Sequence, residues 1–169
     1  METIIIDIIE KFGYIGVALL IALENIFPPI PSEIILTFGG FATSFTKLTV
    51  LGVIISSTVG SVIGAIILYY IGRLLNAERL EKIVNGKVGK ILRLKGEDIK
   101  KANTWFEKKG KMTVLFCRCI PILRSLISIP AGMSKMKFVP FLLLTILGST
   151  VWNTILTKLG AIAGDNWPT

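Results

Sequence analysis

The chain has 169 residues, of which 52% are hydrophobic and 18% are charged, and its mean hydropathy is +0.71. This composition excludes a disordered chain and argues against a soluble enzyme. There is no histidine, and the two cysteines, Cys117 and Cys119, are separated by one residue. Histidine-based catalytic triads, histidine metal sites and a disulfide framework are therefore excluded, and we expect neither a metal nor a cofactor.

The net charge of +8 is concentrated in one segment. Residues 73–111 contain 12 Lys or Arg and 5 Asp or Glu, and the rest of the chain is almost neutral and apolar. A basic block between long apolar segments is typical of a cytoplasmic loop under the positive-inside rule. Because no nucleic-acid-binding motif accompanies it, we interpret the block as a helical loop that faces the cytoplasm, with no nucleic acid as partner.

The first element in chain order is an amphipathic helix. Its apolar stripe consists of Ile4, Ile5, Ile8, Ile9 and Phe12, which recur at helical spacing. The segment has neither a positively charged start nor a small-residue cleavage site, so we expect it to remain in the mature protein.

A proline-interrupted apolar hairpin follows. Residues 14–23 are uncharged for only ten positions before Glu24, and residues 34–46 are uncharged for only 13 positions after Glu33. Neither stretch can span a hydrocarbon core of about 30 Å at 1.5 Å per residue. We interpret the two stretches as the arms of a re-entrant hairpin. Its shape is attributed to three prolines, Pro28, Pro29 and Pro31.

Residues 48–72 are different, because 25 positions without a charge can cross the hydrocarbon core with some tilt. The second half of the chain then repeats this plan with the opposite charge. In residues 112–134, short apolar pieces are broken by Arg118 and Arg124, with Pro121 between them and Pro130 beyond. Residues 138–157 form a second full crossing.

The prediction is therefore an all-α integral membrane protein with one membrane domain, residues 1–169. The first repeat covers residues 1–72, the basic loop residues 73–111 and the second repeat residues 112–169. If the basic loop is cytoplasmic, the two full helices run in opposite directions and the repeats are inverted. Inverted repeats with interrupted segments at corresponding positions indicate the midplane binding site of a transporter.

The charged side chains of the two hairpins, Glu24, Glu33, Arg118 and Arg124, cannot face lipid. Each costs roughly 2.5–3.5 kcal/mol at the bilayer centre, so they must pair with each other or line a wet cavity. Pro121 breaks the helix between the arginines, which lets both guanidinium groups reach one pocket.

Each charge type suits a different role. Guanidinium groups bind phosphate oxygens bidentately, so Arg118 and Arg124 are predicted to bind a substrate phosphate. Desolvated carboxylates can exchange protons near neutral pH, so Glu24 and Glu33 are predicted to couple transport to protons. A set of buried ion pairs that only brace the hairpins remains the structural alternative.

Several polar residues near these charges are candidate supporting residues. Four of them could hydrogen-bond a headgroup or cap the backbone instead: Asn25, Ser32, Ser125 and Ser128. Tyr69 and Arg73, at the end of the first crossing, are interface anchors or site residues.

Four strings carry a family resemblance: ENIFPPIPSE (24–33), GAIILYYIGR (64–73), FCRCIPILRSLISIPAG (116–132) and GDNW (164–167). They resemble the DedA family of membrane proteins, also called the VTT or SNARE-associated Golgi protein family. The F-x-R-x-x-P-x-x-R element is the most specific of the motifs. Members of this family usually continue beyond the GDNW element into another apolar segment.

This resemblance implies two facing re-entrant hairpins in the cytoplasmic membrane of a prokaryote. It also implies movement of undecaprenyl phosphate or a phospholipid between leaflets, with dependence on the proton-motive force. It assigns acidic functional positions to Glu24 and Glu33 and basic ones to Arg118 and Arg124.

The sequence thus predicts a lipid flippase or scramblase whose partners are membrane lipids and protons. A groove open to the bilayer would keep the lipid tail in hydrocarbon while the phosphate crosses on the arginines. Two alternatives stay open: a proton-coupled transporter of small ions, and a non-transporting assembly protein that binds anionic headgroups through the basic loop. An integral lipid phosphatase is disfavoured, because familiar versions use histidine. The sequence does not determine the oligomeric state.

Overall fold

The computed structural model describes residues 2–27, 32–74, 104, 108, 112–120 and 123–165. Within these ranges the chain forms helices joined by short turns, which confirms an all-α fold. The helices are α1 (Glu2–Ile26), α2 (Ser32–Ala42), α3 (Val50–Leu74), α4 (Met112–Cys117), α5 (Leu123–Leu126), α6 (Ser128–Met133) and α7 (Phe138–Asp165). Most of the predicted basic loop lies outside the described residues, as do Pro28, Pro29, Pro31 and Pro121.

In the part of the chain that the structure describes, two helices are long and apolar enough to cross a membrane, α3 with 25 residues and α7 with 28. Both correspond to the crossings predicted from the sequence. The second extends further than residues 138–157, because Gly160 and Ala161 are buried and continue the helix to Asp165.

Large apolar side chains cover the outer faces of the long helices. On α3, Ile55 and Val59 are 56% and 49% exposed, and on α7, Val151 and Ile155 are 52% and 49% exposed. A soluble protein rarely presents so extensive an apolar surface. This surface is the one expected of a protein whose surroundings are lipid chains.

The amphipathic segment and the first hairpin arm are joined within α1, which kinks at Gly13. Gly13 has φ 53° and ψ −127°, and glycine adopts positive φ without the clash that a Cβ would cause. Before the kink, Ile9 is buried in a cluster with Val17 and Ile35, whereas Phe12 is exposed. Part of the predicted apolar stripe therefore packs against the protein.

The two halves of the chain interlock. Helix α1 packs on α3 and α4 packs on α7, so each first arm contacts the long helix of its own half. Helix α2 instead packs on α7, and α6 packs on α3. Each half therefore contributes its second arm to the long helix of the other half.

Small residues let the crossing helices approach closely. A Cβ built on Gly160 would lie 2.1 Å from the carbonyl oxygen of Thr37, and Gly40 has the reciprocal backbone contact with α7. Gly72 of α3 and Gly132 of α6 form a second reciprocal pair. Because the opposing atoms belong to the backbone, no side-chain rotation can make room, and small residues are required at these crossings.

Replacement of Gly160 by valine should force α2 and α7 apart. We expect Gly160→Val to cost about 1–3 kcal/mol, which for a chain of this size lowers the melting temperature in detergent micelles by roughly 2–12 °C. Ala163 is exposed on the same helix, so Ala163→Val is the control and should melt within about 2 °C of the wild type. Equal melting temperatures for the two variants would contradict the packing of α2 on α7.

Candidate functional site

Three of the four charged side chains singled out in the sequence lie together in the interior. Arg118 and Arg124 are each 1% exposed, and Glu24 is 4% exposed. Glu24 belongs to the last turn of α1, Arg118 to the turn after α4, and Arg124 to α5. The side chains are thus hidden from the surroundings, as the cost of exposing a charge to lipid requires.

Arg124 is held by one carboxylate and two hydroxyl groups. Its Nη2 lies 3.6 Å from Oε2 of Glu24. Its Nη1 donates to Oγ of Ser32 at 3.2 Å, and its Nη2 donates to Oγ of Ser61 at 3.4 Å. The partners belong to α1, α2 and α3, so this one side chain ties the second half of the chain to every helix of the first.

Arg118 is held differently. Its Nη2 donates to Oγ of Ser128 at 3.0 Å, and its Nη1 donates to Oγ of Ser149 at 3.3 Å. Within the described part of the chain, no carboxylate lies within 4.0 Å of this guanidinium group, and its Nε has no hydrogen-bond partner. Hydroxyl groups satisfy donors but carry no charge, so among the described residues Arg118 has hydrogen-bond acceptors but no ion-pair partner in direct contact.

Glu33 does not join an ion pair with either arginine among the described residues. It lies in the first turn of α2 and is half-buried, and its buried Oε1 has no hydrogen-bond partner in the described part of the chain. A carboxylate in the first turn is favoured by the helix dipole. The expectation that all four charges meet is therefore fulfilled for three of them.

The serines that bind the arginines lie near the middle of the two long helices. Ser61 is 11 residues after the start of α3, and Ser149 is 11 residues after the start of α7, which corresponds to roughly 16 Å along each axis. Apolar clusters lie on both sides, one around Val53 and the other around Ala65 and Phe141. The charged cluster is thus a polar layer between two apolar cores.

Sequence reasoning did not identify Ser61 and Ser149, although a signal for them was present. Each follows a glycine, at Gly60–Ser61 and Gly148–Ser149, and the two pairs are 88 residues apart. The same offset relates three further identical positions on the long helices: Ile67 and Ile155, Leu68 and Leu156, Gly72 and Gly160. A search for identities at a fixed offset would have found both serines.

Tyr69 and Arg73 do not contact this cluster. The hydroxyl group of Tyr69 donates to the carbonyl oxygen of Met136 at 2.5 Å, and its ring stacks on Phe141 with centroids 4.7 Å apart. Tyr69 therefore holds α3 against the start of α7. Arg73 is exposed in the last turn of α3, as an interface anchor would be.

The other candidate supporting residues differ in their contacts. Nδ2 of Asn25 donates to the carbonyl oxygen of Ile21 at 3.0 Å, and its Oδ1 is buried without a partner. Ser125 is buried next to Arg124 in sequence, and Pro130 is buried in the first turn of α6. Asn25 thus makes the backbone bond foreseen as the alternative, whereas Ser32 and Ser128 bind the arginines.

An apolar groove lies beside the polar layer, between α3 and α7. Its volume is about 350 Å³, and its lining includes Val59, Val62, Ile146 and Thr150. Val62 follows Ser61 in the sequence, and Thr150 follows Ser149. The groove therefore runs along the same segments of the long helices that supply the arginine-binding hydroxyl groups.

Known proteins are similar to this chain over most of its length. A family model described as the VTT domain matches residues 30–162. A protein of Lactococcus lactis subsp. lactis (strain IL1403), named alkaline phosphatase-like protein, is 62% identical over 167 residues, which cover 99% of this chain and 78% of that protein. No solved structure matches the chain at a significant level.

Two further relatives are both named undecaprenyl phosphate transporter A. The protein of Staphylococcus aureus (strain NCTC 8325 / PS 47) is 46% identical over 167 residues, covering 99% of this chain and 82% of that protein. The protein of Bacillus subtilis (strain 168) is 36% identical over 159 residues, covering 94% and 76%.

The contact between Glu24 and Arg124 predicts strong energetic coupling. Glu24→Met or Arg124→Met alone should cost about 3–5 kcal/mol, because each leaves an unpaired buried charge. The double variant should cost less than the sum by at least about 2 kcal/mol, measured by unfolding in mixed detergent micelles. The control cycle of Glu33→Met with Arg124→Met should show coupling below about 0.5 kcal/mol. Additive costs for Glu24 and Arg124 would show that the pair is not formed.

Proposed function

The chain belongs to the VTT domain (DedA) family, and on that premise we propose that it moves a phosphate-bearing lipid between the leaflets of a membrane. Undecaprenyl phosphate and phospholipids are the candidate substrates. The relatives named undecaprenyl phosphate transporter A support this class of cargo. The observation that carries the proposal is the burial of Arg118 and Arg124 at the middle of an apolar helical protein, next to a groove of about 350 Å³.

In the proposed mechanism, the headgroup and the tail take separate routes. Arginine presents a rigid fork of donors that matches phosphate oxygens and keeps its charge at any physiological pH. The phosphate crosses on Arg118 and Arg124, while the tail lies in the groove lined by side chains such as Val59 and Ile146. The groove lining is apolar, like the lipid interior, so the tail stays in an apolar environment throughout. Only the headgroup has to lose its hydration.

We further propose that each half is a re-entrant hairpin followed by a full crossing, and that the halves are inverted in the membrane. The reciprocal packing of α2 on α7 and of α6 on α3 supports this arrangement. The identities at an offset of 88 residues support it as well. Transporters built in this way bind their substrate near the midplane, between the repeats. The basic segment 73–111 would then face the cytoplasm.

Glu24 and Glu33 are proposed to couple transport to protons. Glu24 is an ion-pair partner of Arg124 at 3.6 Å, so its protonation would free the guanidinium group for a phosphate. Glu33 has a buried carboxylate oxygen without a hydrogen-bond partner among the described residues, so it could carry a proton without breaking an existing hydrogen bond. Release of the proton on the other side of the membrane would restore the ion pair and expel the phosphate.

The name alkaline phosphatase-like protein, carried by the lactococcal relative, raises hydrolysis as a second candidate. We favour transport without catalysis, because the sequence contains no histidine to act as a general base, a general acid or a phosphoryl acceptor. Among the described residues, the polar layer is made of arginines and serines around one carboxylate, that of Glu24, which suits the binding of an anion.

Reconstitution in liposomes tests the proposed function. The wild-type protein should move a labelled polyprenyl phosphate from one leaflet to the other, and Arg118→Ala should slow this movement roughly 10- to 100-fold, as expected for lost hydrogen bonds to a charged group. Lys158 is exposed on α7, so Lys158→Ala is the matched control and should transport normally. An imposed pH gradient should accelerate the wild type but not Glu24→Gln.

Each alternative function predicts a different result. Equal transport by the wild type and Arg118→Ala would contradict the assignment of Arg118 to phosphate binding. Release of inorganic phosphate would indicate a phosphatase, and solute-driven proton movement without lipid movement would indicate a transporter of small ions. Activity in cells that depends on residues 73–111 but not on the buried charges would indicate an assembly protein.

A further inference from the structure

The two buried arginines make matching contacts in the two halves of the protein. Each guanidinium group donates from its two terminal nitrogens to two serines, one on a short arm and one on a long helix. The serines are Ser32 and Ser61 for Arg124, and Ser128 and Ser149 for Arg118. The long-helix serines stand in identical Gly-Ser pairs 88 residues apart. The protein therefore contains two versions of one arrangement, an arginine fork on two serines.

The two forks differ in one respect, the anion. The fork of Arg124 includes Glu24, whose Oε2 lies 3.6 Å from Nη2. The fork of Arg118 has no carboxylate within 4.0 Å among the residues that the structure describes. Both arginines are 1% exposed. The lack of a carboxylate beside Arg118 is therefore not explained by a greater exposure of its side chain. The fork of Arg124 thus contains a carboxylate, whereas the fork of Arg118 contains only neutral hydroxyl groups among the described residues.

The fork of Arg118 has the donors that an incoming phosphate needs. Its Nε is buried and has no hydrogen-bond partner within the residues that the structure describes. The hydroxyl oxygens of Ser128 and Ser149 accept hydrogen bonds from the guanidinium group, which leaves each hydroxyl proton available for donation. A phosphate next to these groups would neutralise a buried cation and receive up to three hydrogen bonds, two strong stabilising terms in a low-dielectric site.

The groove passes beside the long-helix serine of each fork, because Val62 follows Ser61 and Thr150 follows Ser149 in the sequence. Ile146 and Thr150 line it, and in the sequence they lie three residues before and one residue after Ser149. A lipid tail in the groove would thus be close to a headgroup on α7. A free phosphate ion could use the same donors but would gain nothing from the groove.

Building on the proposed lipid transport, we propose that Arg118, Ser128 and Ser149 form the binding site for the lipid phosphate. The fork of Arg124, Ser32 and Ser61 is its internal counterpart, in which the carboxylate of Glu24 takes the place of the phosphate. The arginines therefore have separate roles while the ion pair is closed: Arg118 contacts the headgroup, and Arg124, held by Glu24, closes the first half of the protein on the second. Arg124 can take part in the crossing only after that ion pair opens.

Matched serine variants test this division. The full chain in detergent micelles is titrated calorimetrically with farnesyl phosphate, a short prenyl phosphate. Ser149→Ala and Ser128→Ala should weaken binding roughly 10- to 100-fold, the effect of losing one hydrogen bond to a charged group. Ser61→Ala and Ser32→Ala remove the same hydroxyl group from the equivalent fork and should change the dissociation constant less than twofold. Ser149→Thr keeps the hydroxyl group and should bind like the wild type, which separates binding from folding.

Several results would overturn the proposal. The assignment of the phosphate-binding site to Arg118 would be contradicted by any of three results. These are equal effects in both forks, a larger effect at Ser61, and no effect at any of the four serines. Such a result, obtained while the wild type still transports lipid, would leave the proposed function standing. Inorganic phosphate should bind far more weakly than farnesyl phosphate, and equal affinities would assign the fork to free phosphate. Absence of both binding and transport by the wild type would overturn the inference and the proposed function together.

Discussion

A guanidinium group at the centre of a membrane protein must be surrounded by hydrogen-bond partners, because it cannot give up its charge and lipid offers nothing in return. Arg118 and Arg124 impose this constraint on the whole molecule. Serines on two long helices and two short arms meet it, together with Glu24. The helices must therefore cross where these polar groups are, and the reciprocal glycine contacts let them approach closely enough.

The same constraint explains why the long helices are polar inside and apolar outside. On α7, four buried polar residues recur at every fourth position: Thr145, Ser149, Asn153 and Thr157. Four-residue spacing keeps them on one helix face, and the opposite face carries exposed Val151 and Ile155. A soluble helix would have the reverse pattern. The polar stripe gives the proposed headgroup path a continuous lining beside the arginines.

Much of this organisation was predictable, and the part that was not depends on tertiary contacts. The two long helices followed from the lengths of uncharged sequence, and the burial of Arg118 and Arg124 followed from the cost of a charge in lipid. The pairing of Arg124 with Glu24 and not with Glu33 was unpredictable, because it depends on how α1, α2 and α5 pack against one another. Ser61 was missed because a serine inside a helix has no local signature, and only its counterpart 88 residues later reveals it.

The most direct test of the account is a distance between arginine nitrogen and lipid phosphorus in the membrane. Hydrogen-bonded guanidinium and phosphate groups hold nitrogen and oxygen about 2.7–2.9 Å apart, within reach of solid-state NMR dephasing between ¹⁵N-arginine and ³¹P. We predict dephasing for wild-type protein with bound farnesyl phosphate in liposomes, and its loss in Arg118→Lys. The absence of dephasing in a wild-type preparation that still transports lipid would contradict the account.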